Sequence, residues 1–74
     1  MMTKQDVVST STIEGMSITS YLGMVFGRGA SIDAALQNLV DKANDMHANK
    51  VIGVYVDTVS TRTYVAQGTA VTVA

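Results

Sequence analysis

Apolar residues recur along this chain first at strand spacing, then at helix spacing, then at strand spacing again. Val7-Val8-Ser9-Thr10-Ser11-Thr12-Ile13 is rich in β-branched residues and predicts a strand. Glu14-Gly15 breaks it, because Gly15 can take the positive φ of a tight turn. Ser17-Ile18-Thr19-Ser20-Tyr21-Leu22-Gly23-Met24-Val25-Phe26 predicts a second strand, long enough to fold back on the first as a hairpin. Gly27-Arg28-Gly29-Ala30 predicts a loop. Ser31 suits a helix N-cap, since its hydroxyl can accept an orphan N–H of the first turn. Asp33 puts negative charge where the helix dipole favours it. Ile32, Leu36, Leu39, Val40, Ala43 and Met46 then form one apolar stripe, and Asp41, Lys42, Asn44 and Asp45 fall off it. Asn49 tolerates the left-handed conformation and predicts the stop, so the helix covers roughly 31–48. Strand-like runs at 51–57 and 64–73 complete a β-β-α-β-β order, an α+β subunit.

The last two runs are apolar on both faces. With period-two alternation, Val51, Gly53 and Tyr55 point one way, and Ile52, Val54 and Val56 point the other. One helix has one apolar stripe and can cover one face of one sheet. The other face calls for a second copy of the chain, or for something else to cover it.

Composition strengthens that expectation. The 74 residues make one domain, 1–74, with 1–6 expected as a flexible N-terminus. A chain this short buries only roughly 60–65% of its unfolded surface, so its core is marginal without a staple. There is no cysteine for a disulfide or thiolate site, and His47 is the lone histidine. Oligomerisation is left, in keeping with 47% hydrophobic and 15% charged residues. Lys4, Arg28, Lys42, Lys50 and Arg62 are scattered and the net charge is −1, so no basic patch for nucleic acid appears. No run approaches the ~18 apolar residues of a membrane span. The first residues lack a signal-peptide layout, so a cytoplasmic protein is expected.

Thr12-Ile13-Glu14-Gly15, Ile18, Tyr21-Leu22-Gly23, Ala48-Asn49-Lys50-Val51-Ile52-Gly53-Val54 and Gly68-Thr69-Ala70-Val71 together resemble the bacterial YbjQ-like family. That family is also labelled UPF0145, or "putative heavy-metal-binding". The resemblance runs from about residue 7 to 74, and its motifs are short but specific as a set. Family members usually carry a longer segment between the Tyr-Leu-Gly strand and the final helix, so this looks like a shortened version. The resemblance implies a YbjQ-like, dodecin-subunit-like fold and a pentameric closed ring. It also implies a non-catalytic binder of a metal ion, an anion or a small ligand at a central or intersubunit site. Glu14, Gly15, Tyr21, Gly23, Gly53, Gly68 and Thr69 are signature residues of unstated role.

The residues offer a few candidate sites. Arg28, Gly29 and Ser31 precede a helix N-terminus, where free N–H groups and an arginine suit an anion; the plain alternative is a strand-to-helix turn. His47 could gather a metal if several copies met at a symmetry axis, although a histidine near a helix C-terminus also serves that end. Asp45 and Met46 beside it point elsewhere, as consecutive helical residues do. Met16, Met24 and Met46 suit copper(I) or, more plainly, core gaps. Tyr21, Tyr55 and Tyr64 suit subunit packing or the lining of a ligand cavity. Two other readings stay open. One is a dodecin-like store for an aromatic cofactor, which the absence of tryptophan disfavours. The other is an enzyme in which Glu14, Asp57 or His47 converge between subunits for acid/base work.

Overall fold

Strand β1 (Ile18–Gly29), helix α1 (Ile32–Asp45), strand β2 (Lys50–Ser60) and strand β3 (Thr63–Val73) follow one another in the computed structural model. It describes residues 2, 6–8, 15 and 17–74. The strands form one sheet in the order β1-β3-β2, with β3 antiparallel to both neighbours. Helix α1 lies across one face. Among the described residues the order is therefore β-α-β-β. β1 pairs with β3, and its expected hairpin with the first strand falls largely outside the described residues. Val7, from the expected first strand, makes a lone parallel bridge to Val51. Residues 9–14 of that stretch lie outside the described residues.

The helix begins as the sequence suggests. Ser31 is extended at φ −145°, and its hydroxyl accepts from the Ala34 N–H at 3.1 Å. The end comes earlier, at Asp45 rather than near residue 48. His47, not Asn49, takes the left-handed conformation, with φ 61°. The His47 N–H donates to the Asn44 carbonyl at 2.9 Å, and the Ala48 N–H to the Ala43 carbonyl at 3.1 Å. That pair of bonds is a Schellman motif, which satisfies the last carbonyls and turns the chain. Ala43 and Ala48 are both buried, supplying the apolar contact that accompanies it. Asn49 instead starts the sheet: its N–H donates to the Val71 carbonyl at 3.0 Å, and its Oδ1 accepts from the Val73 N–H at 3.2 Å.

The expected loop at 27–30 is a second correction, since β1 continues through Gly29. The glycines serve the helix rather than a turn. A Cβ on Gly27 would stand 2.2 Å from the Ala35 carbonyl oxygen and 2.3 Å from the Leu39 nitrogen. Glycine in a strand often marks such an approach by another backbone. Opposite Gly27 in register is Ala66, and Gly68 and Ala70 follow at strand spacing on the same face. These small residues let α1 sit low. Its Ala35, Leu39 and Ala43 form the core with Val25, Val51, Val54, Ala66 and Ala70.

Gly53 explains a third correction. It has φ 61°, and the β2–β3 register shifts between Ile52 and Tyr55. Gly53 and Val54 stand together against the single Gly68, a β-bulge. The extra residue resets the alternation. Val51, Val54 and Val56 all meet the helix side, whereas strict alternation would part Val51 from the others. Gly23, at φ 130°, accompanies a second register shift, in β1.

Candidate functional site

The sheet has an inner face under α1 and an outer face that, among the described residues, carries no helix. Register assigns the outer face row by row. Phe26 and Tyr55 flank Gln67, Met24 and Ile52 flank Thr69, Arg28 and Asp57 flank Val65, and Tyr21 stands beside Val71. Antiparallel partners share a face, so these side chains lie together on the side away from the helix. Tyr21 is 68% exposed, Met24 64%, Tyr55 55% and Phe26 46%. Ile52 and Val71 on the same face are buried. The uncovered part is thus two tyrosines, a phenylalanine and a methionine, with Arg28 and Asp57 at one end. The two-faced pattern of the last strands pointed to such a surface. Met24 and Phe26 of β1 were not assigned to it, because β1's pairing with β3 decides their face.

The anion candidates do not gather in one place. The Ser31 hydroxyl caps the helix. Gly27 and Gly29 face α1, so alternation turns the exposed Arg28 side chain toward the outer face. The Arg28 carbonyl accepts from Asn38 Nδ2, which ties the strand end to the helix.

The metal candidate, His47, is exposed beside an open depression of about 300 Å³ lined by Asn44, His47, Ala48 and Asn49. The amides there are already engaged. Asn44 binds the Met2 backbone, and Asn49 Oδ1 binds Val73. Met46 is the helix C-cap and packs on the core, while Asp45 is exposed. Among the described residues, no group of three or more His, Cys, Asp or Glu side chains is placed to hold a metal.

The remaining candidates are spread out. Tyr64 packs on the inner core, whereas Tyr21 and Tyr55 are on the outer face. Asp57 is exposed and opposes Val65. Asp57 is seven residues along β2 from Lys50, which puts it on the order of 23 Å from the end where His47 enters. The two cannot share a proton within one chain. Glu14 and Met16 lie outside the described residues, and Gly15 is an exposed turn residue at φ 75°. Gly23 and Gly53 mark the register shifts and Gly68 faces the bulge. Thr69, between Met24 and Ile52, is a half-buried member of the outer face.

No helix among the described residues is long and apolar enough to cross a membrane. A family described as "Putative heavy-metal-binding" matches residues 29–74, from the end of β1 through β3. The chain is also 41% identical over 78 aligned residues to "UPF0145 protein MJ1170" of Methanocaldococcus jannaschii, covering 88% of each chain. The family match takes in the bulge at Gly53 and the central strand β3. On both grounds, this chain belongs to the YbjQ-like, UPF0145 family.

Proposed function

We propose that this chain is a non-catalytic subunit of a closed homo-oligomer, pentameric as the family resemblance implies, that works in the cytoplasm and holds a metal ion or an anion between subunits. The observation that supports the assembly is the outer sheet face, where Tyr21, Met24, Phe26 and Tyr55 stand exposed on one surface. Aromatic residues and methionine are enriched where proteins meet, and a contiguous patch of them costs free energy in water. The shortness of the chain adds to this, since a second copy enlarges a marginal core.

The family description points to a metal. The donor set of one chain does not fit a soft heavy metal, because it has no thiolate, and its lone histidine stands in no cluster of three ligands among the described residues. A metal would need His47 side chains from several copies brought to one axis. An anion would need Arg28 to reach a helix N-terminus of another copy, since its own lies across the strand.

Native mass spectrometry of the purified chain, alone and with zinc or inorganic phosphate added, tests the reading. A multiple of the chain mass that retains zinc or phosphate is expected. His47→Ala should abolish the zinc adduct, and Arg28→Ala the phosphate adduct. A monomer at micromolar concentration with a cooperative melt would overturn the assembly, and an oligomer that retains neither probe would overturn the binding role.

A further inference from the structure

Register on the outer face puts a β1 side chain and a β2 side chain on either side of β3 in each row. Arg28 and Asp57 flank Val65, Phe26 and Tyr55 flank Gln67, and Met24 and Ile52 flank Thr69. Strands stand ~4.8 Å apart, so the two outer members of a row are separated by about 10 Å, with β3 between them. Arg28 and Asp57 are both exposed, and among the described residues neither side chain has an ion pair. The face therefore carries an aromatic row and, in the next row, one positive and one negative charge on opposite sides of its centre line.

That charge pattern selects what can cover the face. Two sheets that pack face to face keep their strands within about 30° of each other and stand ~10 Å apart. Two copies can meet this way about a two-fold axis lying between the sheets, either across the strands or along β3. An axis across the strands lays β1 on β1 and β2 on β2, which keeps Arg28 away from Asp57. An axis along β3 exchanges β1 with β2 and keeps each row in place. Arg28 of each copy then stands over Asp57 of the other, Phe26 stands over Tyr55, and Gln67 stands over Gln67.

We infer that the outer face is the contact of a two-fold pair of chains, with Arg28 of each copy on Asp57 of the other and Phe26 on Tyr55. This rests on the reading of the outer face as a subunit contact, and adds its symmetry and its residue pairs. The aromatic pairs bury apolar surface. The ion pairs set the register and disfavour the crossed arrangement, which is what charge at an interface does best. A two-fold contact closes at two copies, whereas a five-membered ring is built from head-to-tail contacts. The face therefore joins chains, or rings formed through other surfaces, in pairs.

A two-fold contact places a residue near its own copy, and that is what the first experiment reads. The chain has no cysteine, so Gln67→Cys supplies a single thiol. Packed sheets ~10 Å apart put a disulfide out of reach, so the probe is a short bismaleimide. Covalent pairs of chains are expected on a denaturing gel. No pairs, from a protein that native mass spectrometry shows as an oligomer, overturns the two-fold contact and leaves the outer face a subunit contact of another symmetry. A monomeric protein overturns both. Charge reversal is a second arm that leaves Gln67 untouched. Arg28→Asp and Asp57→Arg each turn two attractive pairs into repulsive ones and should weaken self-association by about tenfold. An equimolar mixture of the two variants should recover association as mixed pairs, because one carries only acids at the two positions and the other only arginines. Single variants that associate like the original chain, or a mixture no tighter than its components, overturn the inference.

Discussion

Replacing Gly27 with alanine would test the closest approach in the fold. The new Cβ would lie 2.2 Å from the Ala35 carbonyl oxygen, 2.3 Å from the Leu39 nitrogen and 2.8 Å from the Leu39 Cα. Ordinary van der Waals contact begins at 3.4 Å. All three neighbours are helix backbone, so no side chain can swing aside. The helix must withdraw by about 1 Å, a gap that forfeits a quarter to a half of each dispersion contact it loosens. Ala35, Leu39 and Ala43 would all loosen from the sheet, since they share the helix face that rests on it. Overpacking a core costs typically 1–3 kcal/mol, and a backbone clash belongs at the upper end, about 3 kcal/mol. A chain of this length has a stability on the order of 4–11 kcal/mol in total, so the loss is a large fraction. The assay is urea unfolding followed by circular dichroism at one fixed protein concentration, because assembly would make stability concentration-dependent. Gly53→Ala is the comparison. Its Cβ would meet nothing within 4 Å, and only the positive φ of 61° is strained. That strain costs about 1–2 kcal/mol. Gly27→Ala should therefore be the more damaging. A Gly27→Ala protein within about 0.5 kcal/mol of the original, a change typical of a neutral surface site, would refute the reading that these glycines admit the helix.

Further outcomes follow from the caps and the outer face. Ser31→Ala removes the acceptor of the Ala34 N–H and should lower stability by about 1 kcal/mol in the same assay. His47→Gly relieves a non-glycine residue at φ 61° and should raise stability by about 0.5–1 kcal/mol; a loss would mean that the imidazole has a structural partner. Phe26→Glu places a charge in the middle of the exposed aromatic surface, and native mass spectra should show smaller species while the circular dichroism of the subunit is kept. An unchanged mass distribution would remove Phe26 from the subunit contact.

Local patterns in the sequence determined much of this protein. The apolar stripe from Ile32 to Ala43, the Ser31 cap and the β-branched runs are short-range signals; helix α1 starts where they predict, and the last two strands cover the expected runs. Glycine at 27 and 29 was visible too, but its meaning was not. A glycine pair reads equally as a turn or as room for a neighbour, and only the position of α1 over β1 shows that it is room. The same holds for His47. Asparagine is the commoner left-handed residue, yet the Schellman bonds from His47 and Ala48 close the helix before Asn49 is reached. Alternation along β2 failed at one place, because a bulge adds a residue without altering composition. The outer face was half legible. Two-faced strands announce that a surface is left over, but which side chains form it depends on register. Register is a long-range property, set here by β3 entering between β1 and β2. The position of Met2 belongs to tertiary structure alone. Met2 carries no periodic signal, and its backbone bonds an asparagine 42 residues away in sequence.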